Sequence, residues 1–177
     1  LKSTDVILPL DETWYNICCG DGKFIIIPNS GSVALYSEDG ITWSQITFPV
    51  SKTWRGITYG NGTFIIVSYD DNVVLRSSDG INWEQSTIPT SARWFSVAYG
   101  NGKFAAISYG DKVAAYSTDG VNWETSTLGA TFAKSVTYGN NKFVAVANDS
   151  TTGAYSTDGI TWTTMSTQCK LIDVAYG

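Results

Sequence analysis

The chain contains no histidine among its 177 residues. Histidine is the commonest general acid or base near neutral pH and a frequent metal ligand, so its absence argues against acid–base catalysis and against a transition-metal site. The three cysteines are Cys18, Cys19 and Cys169, an odd number with two adjacent members, which is not the pattern of a disulfide framework. We therefore expect no catalytic residue, no metal and no cofactor.

Charged residues are also scarce, at 15% of the chain, and acidic ones outnumber basic ones by 16 to 11, for a net charge of -5. Phosphate backbones and anionic membranes attract patches of lysine and arginine, so we expect no nucleic-acid partner. No uninterrupted apolar run approaches the ~20 residues that a membrane-spanning helix needs. Insertion into a membrane is not expected either.

What the sequence does contain is an internal repeat of about 40 residues. Two signatures recur in the copies: a Tyr-Gly-Asn-Gly element, complete at Tyr59–Gly62 and Tyr99–Gly102 and altered by one or two residues in the other two copies, and a Ser-x-Asp-Gly-x-x-Trp element, first seen at Ser37–Trp43. The regularly spaced residues are Trp14, Trp54 and Trp94, then Asp39, Asp79, Asp119 and Asp158, then Trp43, Trp83, Trp123 and Trp162. The chain is a tandem array.

Each copy contains four short segments typical of β-strands, separated by turn signals. In the second copy the predicted strands are Trp54–Tyr59, Phe64–Ser68, Val73–Ser77 and Ile81–Ile88. The Asn-Gly and Asp-Gly pairs between them favour tight hairpins. Four strands in about 40 residues, repeated in tandem, predict an all-β fold: a β-propeller of four-stranded antiparallel blades whose apolar faces are buried between neighbours.

The copies divide the chain into four complete repeats: repeat 1 (13–52), repeat 2 (53–92), repeat 3 (93–130) and repeat 4 (131–169). Residues 1–12 match the last strand of a preceding blade, and residues 170–177 match the first strand of a following blade. The expected domain is thus a single, partial β-propeller over residues 1–177. Further repeats or partner chains are expected to complete the ring.

The Ser-x-Asp-Gly-x-Thr/Asn-Trp element resembles the Asp-box (BNR) repeat of sialidases, sortilin-like receptors and related propellers, with one residue fewer between Asp and Gly. The whole unit is similar to repeats of phage tail-fibre and bacterial surface proteins. This resemblance implies a β-propeller. The four aspartates and tryptophans of the element are expected to stabilise turns, because identical places in separate blades cannot converge on one substrate. The polar, acidic composition suggests an extracellular or virion-surface location.

A sialidase-like glycoside hydrolase is the distant alternative. The resemblance to sialidases implies three arginines converging on the substrate, and the chain has only Arg55, Arg76 and Arg93. Arg76 lies in a third strand, whereas Arg55 and Arg93 lie near the starts of first strands. No non-repeating carboxylate pair suited to glycoside hydrolysis stands out. The sequence therefore predicts that the chain is not an enzyme.

The connections between strands vary on only one edge of the array. The hairpins joining the first strand to the second and the third to the fourth are nearly constant, whereas the other connections differ from copy to copy. Variable loops on a rigid scaffold usually carry binding specificity. The candidate ligand-binding residues on this edge are Tyr69, Asp70, Asn72, Tyr109, Asp111, Lys112, Trp54, Arg55, Arg93 and Trp94.

Aromatic rings beside short polar side chains suit the faces and hydroxyl groups of sugars. The sequence therefore favours a binding module that recognises glycans or a cell-surface receptor. A protein–protein interaction or scaffold propeller is the alternative, in which Trp14, Trp54 and Trp94 only pack around the axis.

Overall fold

The structure, a computed structural model, describes residues 12–69, 71–148 and 150–176, so the strand predicted within 1–12 and the candidate Asp70 lie outside the described residues. The described residues form fifteen β-strands. They contain no helix that is long and apolar enough to cross a membrane. The strands are β1 (Trp14–Gly20), β2 (Lys23–Pro28), β3 (Ser30–Ser37), β4 (Ser44–Gly60), β5 (Thr63–Ser68), β6 (Asp71–Ser77), β7 (Glu84–Ala92), β8 (Trp94–Gly100), β9 (Lys103–Ser108), β10 (Val113–Ser117), β11 (Glu124–Thr127), β12 (Ala133–Gly139), β13 (Lys142–Ala147), β14 (Thr152–Ser156) and β15 (Thr163–Ser166).

All strand pairs are antiparallel and join strands that are consecutive in the sequence. Strands β1 to β7 form one seven-stranded sheet, β8 to β11 a second sheet and β12 to β15 a third. The first half of β4 pairs with β3 and its second half pairs with β5, so the large sheet is two four-stranded meanders joined through β4. The all-β, antiparallel prediction is confirmed.

The fourth strand of repeat 2 differs from its prediction at both ends. It begins at Glu84 rather than Ile81, because the backbone N–H groups of Ile81 and Asn82 donate to the carboxylate of Asp79 instead of to a neighbouring strand. It also continues past Pro89 and ends at Ala92, whereas the prediction ended it at Ile88. The ladder pairing jumps from Thr87 to Ala92 here, so the proline removes no ladder hydrogen bond.

Most of the buried apolar surface lies between neighbouring repeats. Phe48 of repeat 1 packs edge-on against Trp54 and Trp83 of repeat 2, with ring centroids 5.5 Å and 5.2 Å apart. The same core contains Ile25 and Phe64, which are fully buried. Each meander is too small to shield both of its faces, and stacking supplies the missing cover.

The first strands of successive repeats approach each other closely at a glycine–tyrosine contact. A Cβ atom added to Gly100 would lie 2.0 Å from Cγ of Tyr138, so the tyrosine ring rests directly on the glycine backbone. The same contact joins Gly60 to Tyr99, and Cys19 takes the place of this tyrosine in repeat 1. The glycine of the Tyr-Gly-Asn-Gly element is thus required by packing between repeats.

The Ser-x-Asp-Gly turn is closed by side chains in all four repeats. In repeat 1, Ser37 Oγ accepts the Gly40 N–H at 2.9 Å, and one carboxylate oxygen of Asp39 accepts the N–H groups of Ile41 and Thr42 at 2.8 Å and 2.7 Å. These bonds to backbone Thr42 and Ile41 lower the pKa of Asp39 to about 2. Equivalent bonds occur around Asp79, Asp119 and Asp158. The turn aspartates therefore serve the backbone.

These carboxylates make stability depend on pH. The pKa of Asp79 is held well below its ordinary value, first by the Asn82 side chain and then by the backbone N–H groups of Asn82 and Ile81. Since an unfolded aspartate titrates near ~3.9, each such group adds stability above about pH 4 that is lost as the pH falls through its folded pKa. We expect the urea midpoint to change little from pH 7 to pH 5 and to fall steeply below pH 4.

The variant Asp79→Asn removes this titration but keeps an oxygen acceptor. Its urea midpoint should be lower than that of the unsubstituted protein. The difference between the two midpoints should be largest above pH 5 and should become smaller below pH 4. Ser78→Ala, at the exposed middle position of the same turn, is the control and should keep the full pH dependence. A constant gap between Asp79→Asn and the parent protein from pH 7 to pH 2 would contradict this account.

Candidate functional site

A continuous set of aromatic rings and cations lies on the edge where the first strands begin. We call Tyr15, Arg55, Tyr69, Phe95, Tyr109, Phe132 and Lys134 the rim cluster. Phe95 is its centre, with ring centroids 6.4 Å from Tyr15, 6.0 Å from Tyr69 and 5.6 Å from Tyr109. Tyr109 continues the series to Phe132 at 5.3 Å. The rings therefore form one surface that crosses several repeats.

Strand register explains why these residues meet. In every first strand the residue after the strand-leading position is the extra residue of a β-bulge, so its side chain is re-aimed away from the regular packing between repeats. Trp54 and Trp94 are fully buried, and the residues that follow them are Arg55 and Phe95. Tyr15 and Lys134 hold the same register in β1 and β12. One side chain from every first strand is thus directed to a shared space.

That shared space is a cavity of about 380 Å³, which we call the axial cavity. Its lining residues are Tyr15, Asn16, Arg55, Phe95, Ser96, Lys134, Ser135, Ile172 and Asp173. They come from all four repeats and from the segment that follows repeat 4. A volume near 300–1,000 Å³ with aromatic walls and a few polar groups is typical of small-molecule sites.

Arg55 is a firmly held cation of the cavity. Its Nη1 donates to Asn29 Oδ1 at 2.9 Å and to the Trp54 carbonyl at 2.8 Å. Its guanidinium carbon lies 4.4 Å from the ring centroid of Tyr15 and 5.0 Å from that of Tyr69. Two ring faces and two oxygen acceptors therefore fix the position of the guanidinium group.

Polar side chains on the wall of the cavity connect neighbouring repeats. Asn16 Nδ2 donates to the Arg55 carbonyl at 3.1 Å, and Ser96 Oγ accepts the backbone N–H of Val136 at 3.2 Å. Ser135 Oγ donates to the carboxylate of Asp173. Contacts of this kind keep the wall rigid while leaving hydroxyl and amide groups at the cavity.

Tyr15 adds a phenol group to the same wall. Burial raises the pKa of Tyr15, and the positive charge of Arg55 only partly opposes this effect. The hydroxyl therefore stays protonated at neutral pH and can donate a hydrogen bond. The side chain is 39% exposed, so a ligand can reach it.

The outer part of the rim cluster is organised by Arg93 and Asp111. The carboxylate of Asp111 accepts the Arg93 backbone N–H at 3.0 Å and forms an ion pair with its guanidinium group at 3.5 Å. The Arg93 guanidinium carbon lies 5.6 Å from the Tyr109 ring centroid. Five predicted candidates, Arg55, Tyr69, Arg93, Tyr109 and Asp111, are thus brought to one edge.

Two predicted ligand-binding residues are corrected by the structure. Trp54 and Trp94 are fully buried, so neither ring can contact a ligand. Trp54 packs against Phe48, and its Nε1 donates to the Gly31 carbonyl of the preceding repeat at 2.8 Å. Trp14, at the same register in repeat 1, is half-buried. The role of Trp54 is to join repeats.

Two further candidates lie apart from the rim cluster. Asn72 is half-buried in β6, where its backbone N–H donates to the Asp71 carboxylate at 2.6 Å. Lys112 is exposed, and its carbonyl accepts the Leu128 N–H at 2.9 Å. Neither residue belongs to the rim cluster as defined above. Their assignment as ligand-binding residues stays a prediction.

The sequence reasoning missed several residues of this edge: Tyr15, Asn16, Phe95, Ser96, Phe132, Lys134, Ser135 and Asp173. A signal for them was present. The residue after the strand-leading position is Tyr15, Arg55, Phe95, Lys134 or Ile172, different in every copy, whereas two positions later every copy has isoleucine or valine. Variation inside a strand of a repeat protein indicates a position that the packing between copies does not restrict to one residue type.

Comparison with solved structures places the fold. The chain superimposes on virginiamycin B lyase from Staphylococcus aureus with a TM-score of 0.80 at 15% identity, covering 90% of this chain and 57% of that one. YCF48 bound to D1 peptide gives 0.64 at 18% identity, covering 90% and 55%, and the nidogen/laminin complex gives 0.68 at 12%, covering 86% and 62%. The chain has the β-propeller fold. It spans little more than half the length of these propellers.

No family model matches the chain, and no curated protein matches it in sequence. The resemblance to Asp-box repeats and to tail-fibre repeats therefore rests only on the residues quoted for it. The likeness to solved propellers, at 12 to 18% identity, shows the fold alone.

The prediction that the chain is not an enzyme is wrong as a deduction from its sequence. The propeller it resembles with a TM-score of 0.80, virginiamycin B lyase, is an enzyme. A fold is not itself proof of catalysis, but a β-propeller fold is compatible with it. The absence of histidine was given too much weight, because tyrosine, lysine and carboxylate groups also act as acids and bases.

Proposed function

We propose that this propeller is a ligand-binding module and that its ligand is a glycan bound across the rim cluster and the axial cavity. The observation that carries the proposal is the continuous aromatic surface from Tyr15 through Phe95 and Tyr109 to Phe132, bordered by fixed polar and charged groups. Tyr15 and Phe132 are 39% and 36% exposed. Rings of this kind can stack on the C–H faces of sugars while the polar groups bond their hydroxyls.

A protein or peptide ligand is the second candidate. Tyrosine, phenylalanine and arginine are enriched at protein interfaces as well. Among propellers of similar fold, YCF48 binds D1 peptide and nidogen forms a complex with laminin. A peptide would lie along the same rim cluster, so the two candidates differ in ligand and share the site.

A glycan array followed by titration calorimetry tests the proposal. Phe95→Ala and Tyr109→Ala should each weaken binding by about 2- to 12-fold, the equivalent of about 0.5–1.5 kcal/mol for one aromatic contact. Tyr109→Phe keeps the ring and separates stacking from hydroxyl contacts. Val121→Ala, an exposed apolar residue of a Ser-x-Asp-Gly turn, is the control and should leave the affinity unchanged.

The outcomes separate the candidates. Absence of binding to every glycan at millimolar concentration, or unchanged affinity in both Phe95→Ala and Tyr109→Ala, would defeat the glycan proposal. Selection of peptides from a random library, with loss of binding in the same two variants, would establish the second candidate in its place.

A further inference from the structure

We infer that the axial cavity binds a carboxylate group, so that the glycan ligand carries an acidic sugar such as a uronic acid. The inference rests on the proposed function, because it names the ligand class of the same site. Three observations carry it: the free edge of Arg55, the second cation at Lys134, and the aromatic platform between them.

Arg55 presents one edge of its guanidinium group unused. Among the described residues, all of its hydrogen bonds are made by Nη1, to Asn29 and to the Trp54 carbonyl. The Nε–H and Nη2–H groups therefore form a parallel pair of donors, the arrangement that binds a carboxylate through two hydrogen bonds. No carboxylate within residues 12–69, 71–148 and 150–176 pairs with this guanidinium group.

Arg55 is also preorganised for such a bond. The Tyr15 and Tyr69 rings lie on it at 4.4 Å and 5.0 Å, and Asn29 fixes Nη1 at 2.9 Å. The Arg55 side chain therefore loses little conformational entropy when a ligand binds. A fixed guanidinium group distinguishes a planar carboxylate from a single hydroxyl better than a mobile lysine does.

Lys134 places a second positive charge on the same cavity. Its Nζ lies 5.8 Å from the ring centroid of Phe95 and 5.3 Å from that of Tyr109. The lining residues carry two cations, Arg55 and Lys134, and one anion, Asp173, for a formal charge of +1. The whole chain has a net charge of -5. The sign of the cavity is thus opposite to that of the molecule, which favours an anionic ligand at this site.

Phe95 holds the same position in the first strand of repeat 3 that Arg55 holds in repeat 2 and Lys134 in repeat 4, so it comes between the two cations in the order of the repeats. A sugar ring stacked on Phe95 would direct its carboxylate toward Arg55 and its hydroxyls toward Asn16 and Ser96. The volume of about 380 Å³ is at the small end of the range for ligand sites. It suits one or two sugar units rather than a long segment of a polymer.

Calorimetry with matched ligands tests the inference on the unsubstituted protein. The probes are di- and trigalacturonate, their methyl esters, and the neutral galactose oligomers of the same linkage. The acids should bind at least 10-fold more tightly than the esters, and the preference should shrink as salt is raised from 50 to 500 mM. This comparison needs no variant and so does not depend on folding.

Variants then locate the effect. Arg55→Lys keeps the charge and loses the paired donors, and it should reduce the preference for acid over ester by about 10-fold. Lys134→Gln should reduce it by a smaller factor. Lys142→Gln removes an exposed charge from the opposite edge and is the matched control, expected to leave the preference unchanged.

Equal binding of acid and ester, or binding of neutral oligomers alone, would overturn the inference and leave the glycan proposal standing. Tighter binding of sulfated than of uronic sugars would overturn the carboxylate assignment. Failure of every glycan to bind at millimolar concentration would overturn the proposed function and this inference together.

Discussion

Gly100→Ala should lower the free energy of unfolding by about 3 kcal/mol or more, the upper part of the range for overpacked sites. The added methyl group would lie 2.0 Å from Cγ of Tyr138 and 2.3 Å from Cδ1 and Cδ2 of the same ring. Cγ lies near the backbone, so a rotation of the ring cannot relieve the overlap. Tyr138 is itself held against Phe143, at 4.8 Å between centroids. In a chain of this size the melting temperature should fall by about 6–12 °C.

A double-mutant cycle checks the cause. In a Tyr138→Ala background the space is empty, so Gly100→Ala should then cost less than about 1 kcal/mol. Gly102→Ala is the control: a Cβ there meets no atom within 4 Å, and only the positive φ of 73° opposes it. That strain is worth about 1–2 kcal/mol. Equal losses for Gly100→Ala in both backgrounds would show that the tyrosine contact is not responsible.

Trp54→Ala should cost about 3–5 kcal/mol of stability, as for other fully buried large rings. The indole is completely buried and packs edge-on against Phe48 at 5.5 Å. Its removal also leaves the Gly31 carbonyl without the Nε1–H donor that now bonds it at 2.8 Å. Urea unfolding followed by circular dichroism measures the loss.

Two further substitutions separate the contributions of Trp54. Trp54→Phe keeps most of the ring volume and removes the hydrogen bond, so it should recover more than half of the loss. Trp14→Ala, at the same register but half-buried, should cost about half as much as Trp54→Ala. A loss below about 1 kcal/mol for Trp54→Ala would contradict its assignment as the link between repeats 1 and 2.

The strands and turns were predictable because local chemistry decides them. The Asn-Gly and Asp-Gly pairs determine where the chain reverses, and Ser37 and Asp39 bond backbone groups no more than three residues away. The start of β7 at Glu84 was missed because the N–H groups of Ile81 and Asn82 are taken by Asp79, a competition that a hydrophobic pattern does not reveal.

The candidate site was only partly predictable, because it depends on tertiary arrangement. Tyr69 and Tyr109 were identified, since they stand in connections that differ between copies. Phe95 and Lys134 were missed because their convergence requires four first strands to face a common space. Trp54 was assigned to the wrong face, since a tryptophan suits a core and a ligand site equally well. Deciding between them takes the orientation of the strand.

Each first strand has positions that pack against neighbouring repeats and one position that faces the axial cavity. Trp54 packs against the preceding repeat and Gly60 against the next one, whereas the guanidinium group of Arg55 lies at the axial cavity and the rim cluster. Side chains at this position can therefore differ between copies while the contacts of Trp54 and Gly60 with the neighbouring repeats stay the same. Each repeat contributes one side chain of this kind to the axial cavity. A few substitutions at these positions can therefore change the ligand selectivity of the propeller while its fold stays the same.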